Sequence, residues 1–387
     1  MSRLGDLGRQ DINMLPKWKW GCIVGLLVVG LLLRSPLNYL FTSVRLALSM
    51  QRLASGATGR DLAVHETRVV RRLGDRVYEA LLYHPAQWQA TSAVVLVAGI
   101  SELGCYHPKL VAFSRFLADS GLLVITPDIE EFREFKISAE PIDQILFWYS
   151  QVGTLPGSER VQKTGLAGIS YSGTLALIAA ARPEIRDRVA FVVGIGSYCD
   201  LIRCTGGWFA AAPALVGQDH YPTRFYAKWI IMLSALDMVA AAKDRLFLHD
   251  VLQDLLLQKE IPPAGSDITL EGLRWYRLAT MREDQSDPEL AGKITEYLIS
   301  NIYPQLDPKN ALSKVHCPVF LIHGAYDDLI PPRESMELHR RLSRSLLLIS
   351  PFLTHTHPTD APLSLKRKAA GVLDMLVFSY RCTRVIL

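Results

Sequence analysis

Gly165-Leu-Ala-Gly-Ile-Ser-Tyr-Ser-Gly-Thr174 joins an apolar run to a helical one and sets a single serine, Ser170, between small residues. A strand ending at Ala167 that reverses into a helix starting near Gly173 forces the apex residue into a strained conformation, its hydroxyl thrust out of the sheet. Side chains two positions either side of the apex must then be small, and here they are Gly168 and Ser172. The usual pattern is Gly-x-Ser-x-Gly, so Ser172 is a departure, though one small enough for the turn to survive. An ordinary Gly/Ser turn between strand and helix would read the same way over five residues. The surroundings decide between them.

Working outward, apolar runs bounded by turn residues predict strands at about Glu66–Arg72, Arg76–Tyr83, Ala93–Ala98, Leu122–Thr126, Lys163–Ala167, Val189–Ile195, Val319–His323 and Leu346–Ser350. Helical spacing falls near Pro108–Ser120, Glu140–Val152, Gly173–Ala181, Glu334–Leu342 and Leu363–Tyr380. Strands alternating with helices imply a parallel sheet covered on both faces. Between Ile195 and Val319 the rhythm stops, and Phe225–Ala242, Asp244–Gln258, Leu270–Met281 and Glu289–Asn301 read as helices. No internal repeat or low-complexity tract interrupts the chain.

Eight strands with a helical insertion after the sixth is the layout of the α/β-hydrolase superfamily, which this chain resembles from about Glu66 to its C-terminus. The resemblance is carried by the turn around Ser170, by Val95-Leu-Val-Ala-Gly-Ile100 and, most specifically, by Pro318-Val-Phe-Leu-Ile-His-Gly-Ala-Tyr-Asp-Asp-Leu-Ile-Pro331. It implies an α/β fold with an eight-stranded, mostly parallel sheet, helices on both faces, and a helical cap inserted after the sixth strand. The corresponding division is an anchor and linker over 1–60, core over 61–198, cap over 199–315 and core again over 316–387. It also implies a serine hydrolase of the esterase or lipase kind.

A serine hydroxyl is a poor nucleophile at neutral pH and needs a base within hydrogen-bond reach, itself held in one tautomer by a third group. In this superfamily the chain order is nucleophile, acid, histidine. Ser170 comes first. Asp327 follows the seventh strand three residues after Gly324 and is the expected acid, with Asp328 beside it and Asp200, after the sixth strand, as rivals. After the last strand come His355 and His357; His355 is nearer the strand end, and His357 precedes Pro358 in a turn. The tetrahedral oxyanion needs backbone N–H donors. Tyr171 follows the nucleophile, and Ile100 follows Gly99 in the loop after the third strand, with Ser101 as the alternative. Most relatives have His-Gly where this chain has Ala98-Gly99, a second departure. His107 reads as a helix-start residue.

Lysine plus arginine exceed aspartate plus glutamate by only four, so no global field argues for nucleic acid. Six scattered cysteines form no CxxC or Cys/His set, so neither zinc nor a disulfide framework is written here, and nothing demands a bridge between Cys199 and Cys204. There is no Gly-rich phosphate loop, and neither a cofactor nor a metal is expected. Near the N-terminus Trp20–Leu33 is uncharged and almost wholly apolar between Lys19 and Arg34. A single-pass membrane anchor near residues 18–34 is expected there, its orientation unreadable. Leu37–Leu53 has helical spacing, fitting either a helix at a bilayer surface or a plain connecting helix.

The expected function is therefore cleavage of a carboxylic ester through an acyl-enzyme, in a membrane-anchored chain. Large apolar residues of the insertion, among them Trp208, Phe225, Trp229 and Trp275, fit either an apolar acyl group beneath the cap or the cap's own packing. With the anchor they point to a lipid or lysolipid ester. A thioesterase, amidase or acyltransferase would use the same residues, and an inactive binding or scaffold protein would retain the fold without the reaction. The identity of the substrate and the oligomeric state are not written in the sequence.

Overall fold

In a computed structural model, the described residues are 37–45, 48–49, 52, 56–209, 223–280, 287–355, 359 and 362–387. All eight expected strands are present: β1 (Val64–Leu73), β2 (Arg76–Pro85), β3 (Ser92–Val97), β4 (Leu122–Asp128), β5 (Lys163–Ile169), β6 (Val189–Ile195), β7 (Val319–Gly324) and β8 (Ser345–Ser350). They form one sheet in the order β1-β2-β4-β3-β5-β6-β7-β8. β2 runs antiparallel to both of its neighbours, and every pair from β4 to β8 is parallel. This is the α/β-hydrolase arrangement that the sequence led us to expect.

The strand sequences explain their places. β3 is Ser-Ala-Val-Val-Leu-Val and is buried at every position, as a central parallel strand covered on both faces must be. β1, at the edge, carries His65, Glu66, Arg68, Arg71 and Arg72, charges and polar groups that keep an open edge from pairing with another chain. Gly74, at φ +59°, makes the tight β1–β2 turn that a residue with a Cβ would strain. The third residue of β5 is Gly165 because the Phe191 ring of neighbouring β6 fills the space where a side chain would stand.

Helices α1 (Pro108–Asp119), α2 (Glu140–Gln151), α3 (Tyr171–Ala180), α9 (Arg333–Arg341) and α10 (Leu365–Ile386) belong to the alternating pattern. Between β6 and β7 come α4 (Leu201–Phe209), α5 (Thr223–Ser234), α6 (Ala242–Leu256), α7 (Leu270–Thr280) and α8 (Pro288–Asn301). The expected single helix over Phe225–Ala242 breaks at Ser234 into a short 3-10 turn over Leu236–Met238. One apolar core covers one sheet face and continues without interruption into α5–α8, so that Trp229, Leu252, Trp275 and Ile294 are buried in the same cluster as Val95 and Leu166. A second, smaller core lies on the other face, where Phe320 meets Phe378 of α10 edge-on at 6.2 Å.

Contrary to the expected anchor, its transmembrane helix and its membrane localisation, no helix among the described residues is long and apolar enough to cross a membrane. The 18–34 segment itself lies outside the described residues. Its uncharged run is short of the ~20 residues that a hydrocarbon core of ~30 Å requires. The described part of the following stretch, 37–45, is helical and held against the body of the protein. Buried Ser43 donates to Thr383 Oγ1 of α10 at 3.2 Å, and Arg45 pairs with Asp119 at the end of α1. Those contacts fit the connecting helix. Cys105, Cys199, Cys204, Cys317 and Cys382 are all free and buried, so Cys199 and Cys204 are not bridged.

The Gly165–Phe191 contact is a sharp test of this packing. Gly165→Ala should lower stability by about 1–3 kcal/mol through overpacking, read as an earlier thermal unfolding transition, and Phe191→Leu in the same chain should recover part of the loss. An alanine variant that melts with the parent would mean that the two strands are not packed this tightly.

Candidate active site

Three loops at the carboxyl edge of the sheet converge on Ser170, the place where ligands bind in open α/β sheets. β5 runs to Ile169 and α3 begins at Tyr171, so the reversal is sharper than the sequence spacing implies and is made by one residue. Ser170 sits at φ 61°, ψ −128°, a conformation that L-residues rarely adopt. Neighbouring positions explain how it is tolerated. A Cβ on Gly168 would overlap the Ser172 carbonyl, and one on Gly173 would overlap Ser197 Oγ. The Ser170 N–H is fixed by Ile195 O at 2.6 Å.

Ser172, the departure from pattern, is fully buried and satisfied. Its hydroxyl accepts from Ile169 N at 2.9 Å and lies 3.0 Å from Val97 O and 2.8 Å from Ile169 O. The extra oxygen ties the turn to the end of β3, a contact that glycine could not make.

His355, on the loop after β8, bridges the other two groups. Its Nε2 is 2.8 Å from Ser170 Oγ and its Nδ1 is 2.7 Å from Asp327 Oδ2. A carboxylate oxygen can only accept, so Nδ1 carries the hydrogen and Nε2 is left to take one from the serine. Gly196, at φ +65°, passes close beside this pair: a Cβ there would stand 3.5 Å from His355 Cε1 and 3.7 Å from Asp327 Oδ2. Asp327 is enclosed, its side chain wholly buried. Its Oδ1 accepts from Leu329 N at 3.0 Å and Ile330 N at 2.8 Å, while Oδ2 faces His355 and also His323 Nε2 at 3.1 Å. Burial opposes its ionisation, but the hydrogen bonds from His323 and His355 and the backbone hold the carboxyl well below the usual carboxylate range.

The rivals are placed elsewhere. Asp328 is exposed. Asp200 accepts from Arg203 N at 3.0 Å and pairs with Lys309 at 2.8 Å, which makes it the cap of α4 and a partner of the segment before β7. His357 lies outside the described residues. His107 caps α1, its Nδ1 accepting from Lys109 N. Of the two oxyanion-donor candidates in the loop after β3, Ser101 is already committed, since its N–H donates to Phe132 O at 3.1 Å. Gly99 brings that loop against the turn, a Cβ on it lying 3.5 Å from Ile169 O and 3.7 Å from Ser170 Cβ. Ile100 N–H follows directly. Tyr171 opens α3, where the first N–H groups have no intrahelical acceptor. Its ring is pinned at the far end by a 2.8 Å bond from Oη to Ser138 O. Ala98 is buried in the smaller core, an apolar role in place of the usual histidine.

Sequence reasoning missed several supports. Tyr226 of α5 donates to Ile100 O at 3.1 Å, and Trp208 of α4 donates from its indole N–H to Leu329 O at 2.7 Å. Glu334, completely buried on α9, accepts from the N–H groups of Cys199 and Asp200 and from Arg203, fixing the chain after β6. None of these has a sequence signature, because each acts through a backbone atom or a distant residue. The insertion's tryptophans are spent in packing: Trp229 donates to Ala279 O at 2.9 Å, and Trp275 is 1% exposed.

Among known proteins, the chain is 39% identical over 75 residues to the pimeloyl-[acyl-carrier protein] methyl ester esterase of Neisseria meningitidis. That stretch is 18% of this chain and 23% of the relative, so the chain spans about a quarter of that protein's length. Similar solved structures include a 2,6-dihydroxy-pseudo-oxynicotine hydrolase, with TM-score 0.46 and 14% identity over 83% of this chain and 68% of the other. Est1E from Butyrivibrio proteoclasticus gives TM-score 0.43 and 15% identity over 80% and 99%. The family described as X-Pro dipeptidyl-peptidase (S15 family) matches residues 156–357, a stretch that takes in Ser170, Asp327 and His355. With that match spanning more than half of its length, the chain belongs to the X-Pro dipeptidyl-peptidase (S15) family.

Proposed function

We propose that the protein is a serine hydrolase that cleaves a carboxylic ester through an acyl-enzyme. One observation carries this reading: a single imidazole lies 2.8 Å from a strained serine hydroxyl and 2.7 Å from a buried carboxylate. Ser170 Oγ would attack the carbonyl carbon while His355 Nε2 takes its proton, and Asp327 would hold the imidazolium that forms. The carbonyl oxygen becomes an oxyanion facing the N–H groups of Ile100 and Tyr171, each such donor being worth about 3 kcal/mol of barrier. Collapse expels the alcohol, which takes the proton from His355. Water then enters and repeats the sequence in reverse, releasing the acid and restoring Ser170.

A peptide bond following an X-Pro unit is the second reading, favoured by the family match over all three residues. The same steps apply, with an amine in place of the alcohol as leaving group. A restriction to lipid or lysolipid esters has less behind it, because Trp208, Trp229 and Trp275 are occupied in packing and in hydrogen bonds to backbone. An acyl pocket built from those rings is not needed to explain them.

Three measurements test the proposal. A fluorophosphonate probe should label the protein and fail to label Ser170→Ala; a folded wild-type chain that is never labelled and hydrolyses no acyl substrate would leave only a binding or scaffold role. His355→Ala and Asp327→Asn should each reduce kcat about a thousandfold or more with the fold intact, as in other hydrolases whose serine, base and orienting acid act as a unit. Full activity in either variant would remove that residue from the mechanism. Rates on p-nitrophenyl esters of increasing chain length, set against X-Pro p-nitroanilides, should favour the esters; a higher kcat/KM on the anilides would reverse the order of the two readings.

A further inference from the structure

The carboxylate that orients His355 is shared by a second imidazole that the reaction as usually drawn does not use. His323, in β7, is 0% exposed. Its Nε2 lies 2.7 Å from Ile330 O and 3.1 Å from Asp327 Oδ2, and its Nδ1 lies 2.6 Å from Ser335 Oγ of α9. Neither a carbonyl nor a carboxylate has a proton to give, so Nε2 must carry the hydrogen. That one hydrogen is shared between Ile330 O, the nearer acceptor, and the Asp327 oxygen that also receives His355 Nδ1–H. Its orientation is not adjustable, because Ser335 holds the opposite nitrogen and itself lies 3.4 Å from Ser197 O.

The other charged groups that face this cluster among the described residues come from two elements. From the described part of the loop after β8 comes His355. From α9 comes Glu334, next to Ser335 and neutralised by Arg203 of α4 at 2.7 Å. Among the described residues, Asp327 has no lysine or arginine partner; its ion-pair contacts are the two histidines.

We propose, resting on the assignment of Ser170, His355 and Asp327 as the reacting set, that His323 is a positioning residue whose Nε2–H locks the Asp327 carboxylate and limits how strongly it holds the imidazolium of His355. A carboxylate that accepts from several donors is a weaker base toward each one. With His323 in place, Asp327 can keep Nδ1–H of His355 aligned without over-stabilising the protonated ring, which would be a spent base. Without it, Oδ2 would serve His355 only. A purely structural histidine would pin Ile330 and the loop, and its loss would lower activity at every pH alike.

The distinguishing measurement is the pH profile of kcat/KM for two variants of similar chemistry and different reach. Glutamine at 323 can place an amide N–H where Nε2 stands; asparagine reaches only the Nδ1 position, beside Ser335. His323→Gln should superpose on the wild-type profile. His323→Asn should move the acid limb to higher pH by about half a unit, a loss of about threefold on that side of the profile, with KM unchanged. If the asparagine chain does not fold, His323→Leu is measured in its place. An acid limb that stays where the wild type has it in the donorless variant, whatever the height of the plateau, overturns the proposal, and so does a displaced limb in His323→Gln. Labelling of wild type by the fluorophosphonate probe, lost in Ser170→Ala, is read in the same samples, so failure of the triad is distinguishable from failure of His323.

Discussion

The candidate active-site edge depends on keeping one carboxylate ionised out of contact with water. Asp327 is wholly enclosed and, among the described residues, has no guanidinium or ammonium beside it, so its charge must be met by hydrogen bonds. Two come from its own loop, Leu329 N and Ile330 N, one from the His355 imidazole after β8, and a share of a fourth from His323 on β7, whose Nε2–H lies nearer to Ile330 O. Each donor fixes a different piece of chain. The turn from Asp327 to Ile330 exists because its N–H groups must point inward, and its outward carbonyls are then taken up in turn, Leu329 O by Trp208 and Ile330 O by His323. An unpaired buried charge costs several kcal/mol. The loop is therefore as much a solvation shell as a connection between a strand and a helix.

A second constraint is the strain at Ser170, of the order of 1–3 kcal/mol for such a backbone. It persists because its neighbours leave no alternative. Gly168 lets the strand and the first turn of α3 approach to where a Cβ would not fit, and Ile195 O holds the Ser170 N–H. Ser172 adds a hydroxyl bonded to Val97, two residues before Gly99 and three before Ile100. The departure from a glycine at this position thus links the strained turn to the loop that would bind the oxyanion, and a sequence pattern alone reads it as a blemish.

How much of this was legible in the chain follows from which atoms do the work. The eight strands could be read because covered parallel strands are short continuous apolar runs, and β3 is buried at all six positions. Ser170, Asp327 and His355 could be picked out because their side chains are chemically distinctive and stand in a fixed order, and the structure brings those three together. The helix over Leu201–Phe209 was not seen, since Gly206-Gly207 interrupts its pattern, yet burial of Leu201, Cys204 and Trp208 on one side suffices to hold it. Ile100 and Ser101 could not be separated from sequence, because the choice depends on which N–H Phe132 O has already taken. His323 was invisible for another reason: it sits in an apolar strand and reads as part of it. The apolar run after Lys19 shows the opposite error, a strong composition signal whose length falls short of the structure it seemed to announce.

The helices between β6 and β7 are usually pictured as a lid over a finished site, but here they take part in its construction. Trp208 of α4 holds Leu329 O in the loop of the carboxylate, and Tyr226 of α5 holds Ile100 O in the loop after β3. Phe135, edge-on to Tyr226 at 6.0 Å, and Ile137, whose N–H donates to Ser234 of the same helix, carry that contact into the segment after β4. The apolar core that covers one sheet face continues through these helices without a seam. Moving them as a rigid body would break hydrogen bonds to the backbone on both sides of Ser170 at once. A displacement of α4 or α5 would thereby reach both the loop that holds Asp327 and the loop that would bind the oxyanion, because Trp208 and Tyr226 bond to their backbones.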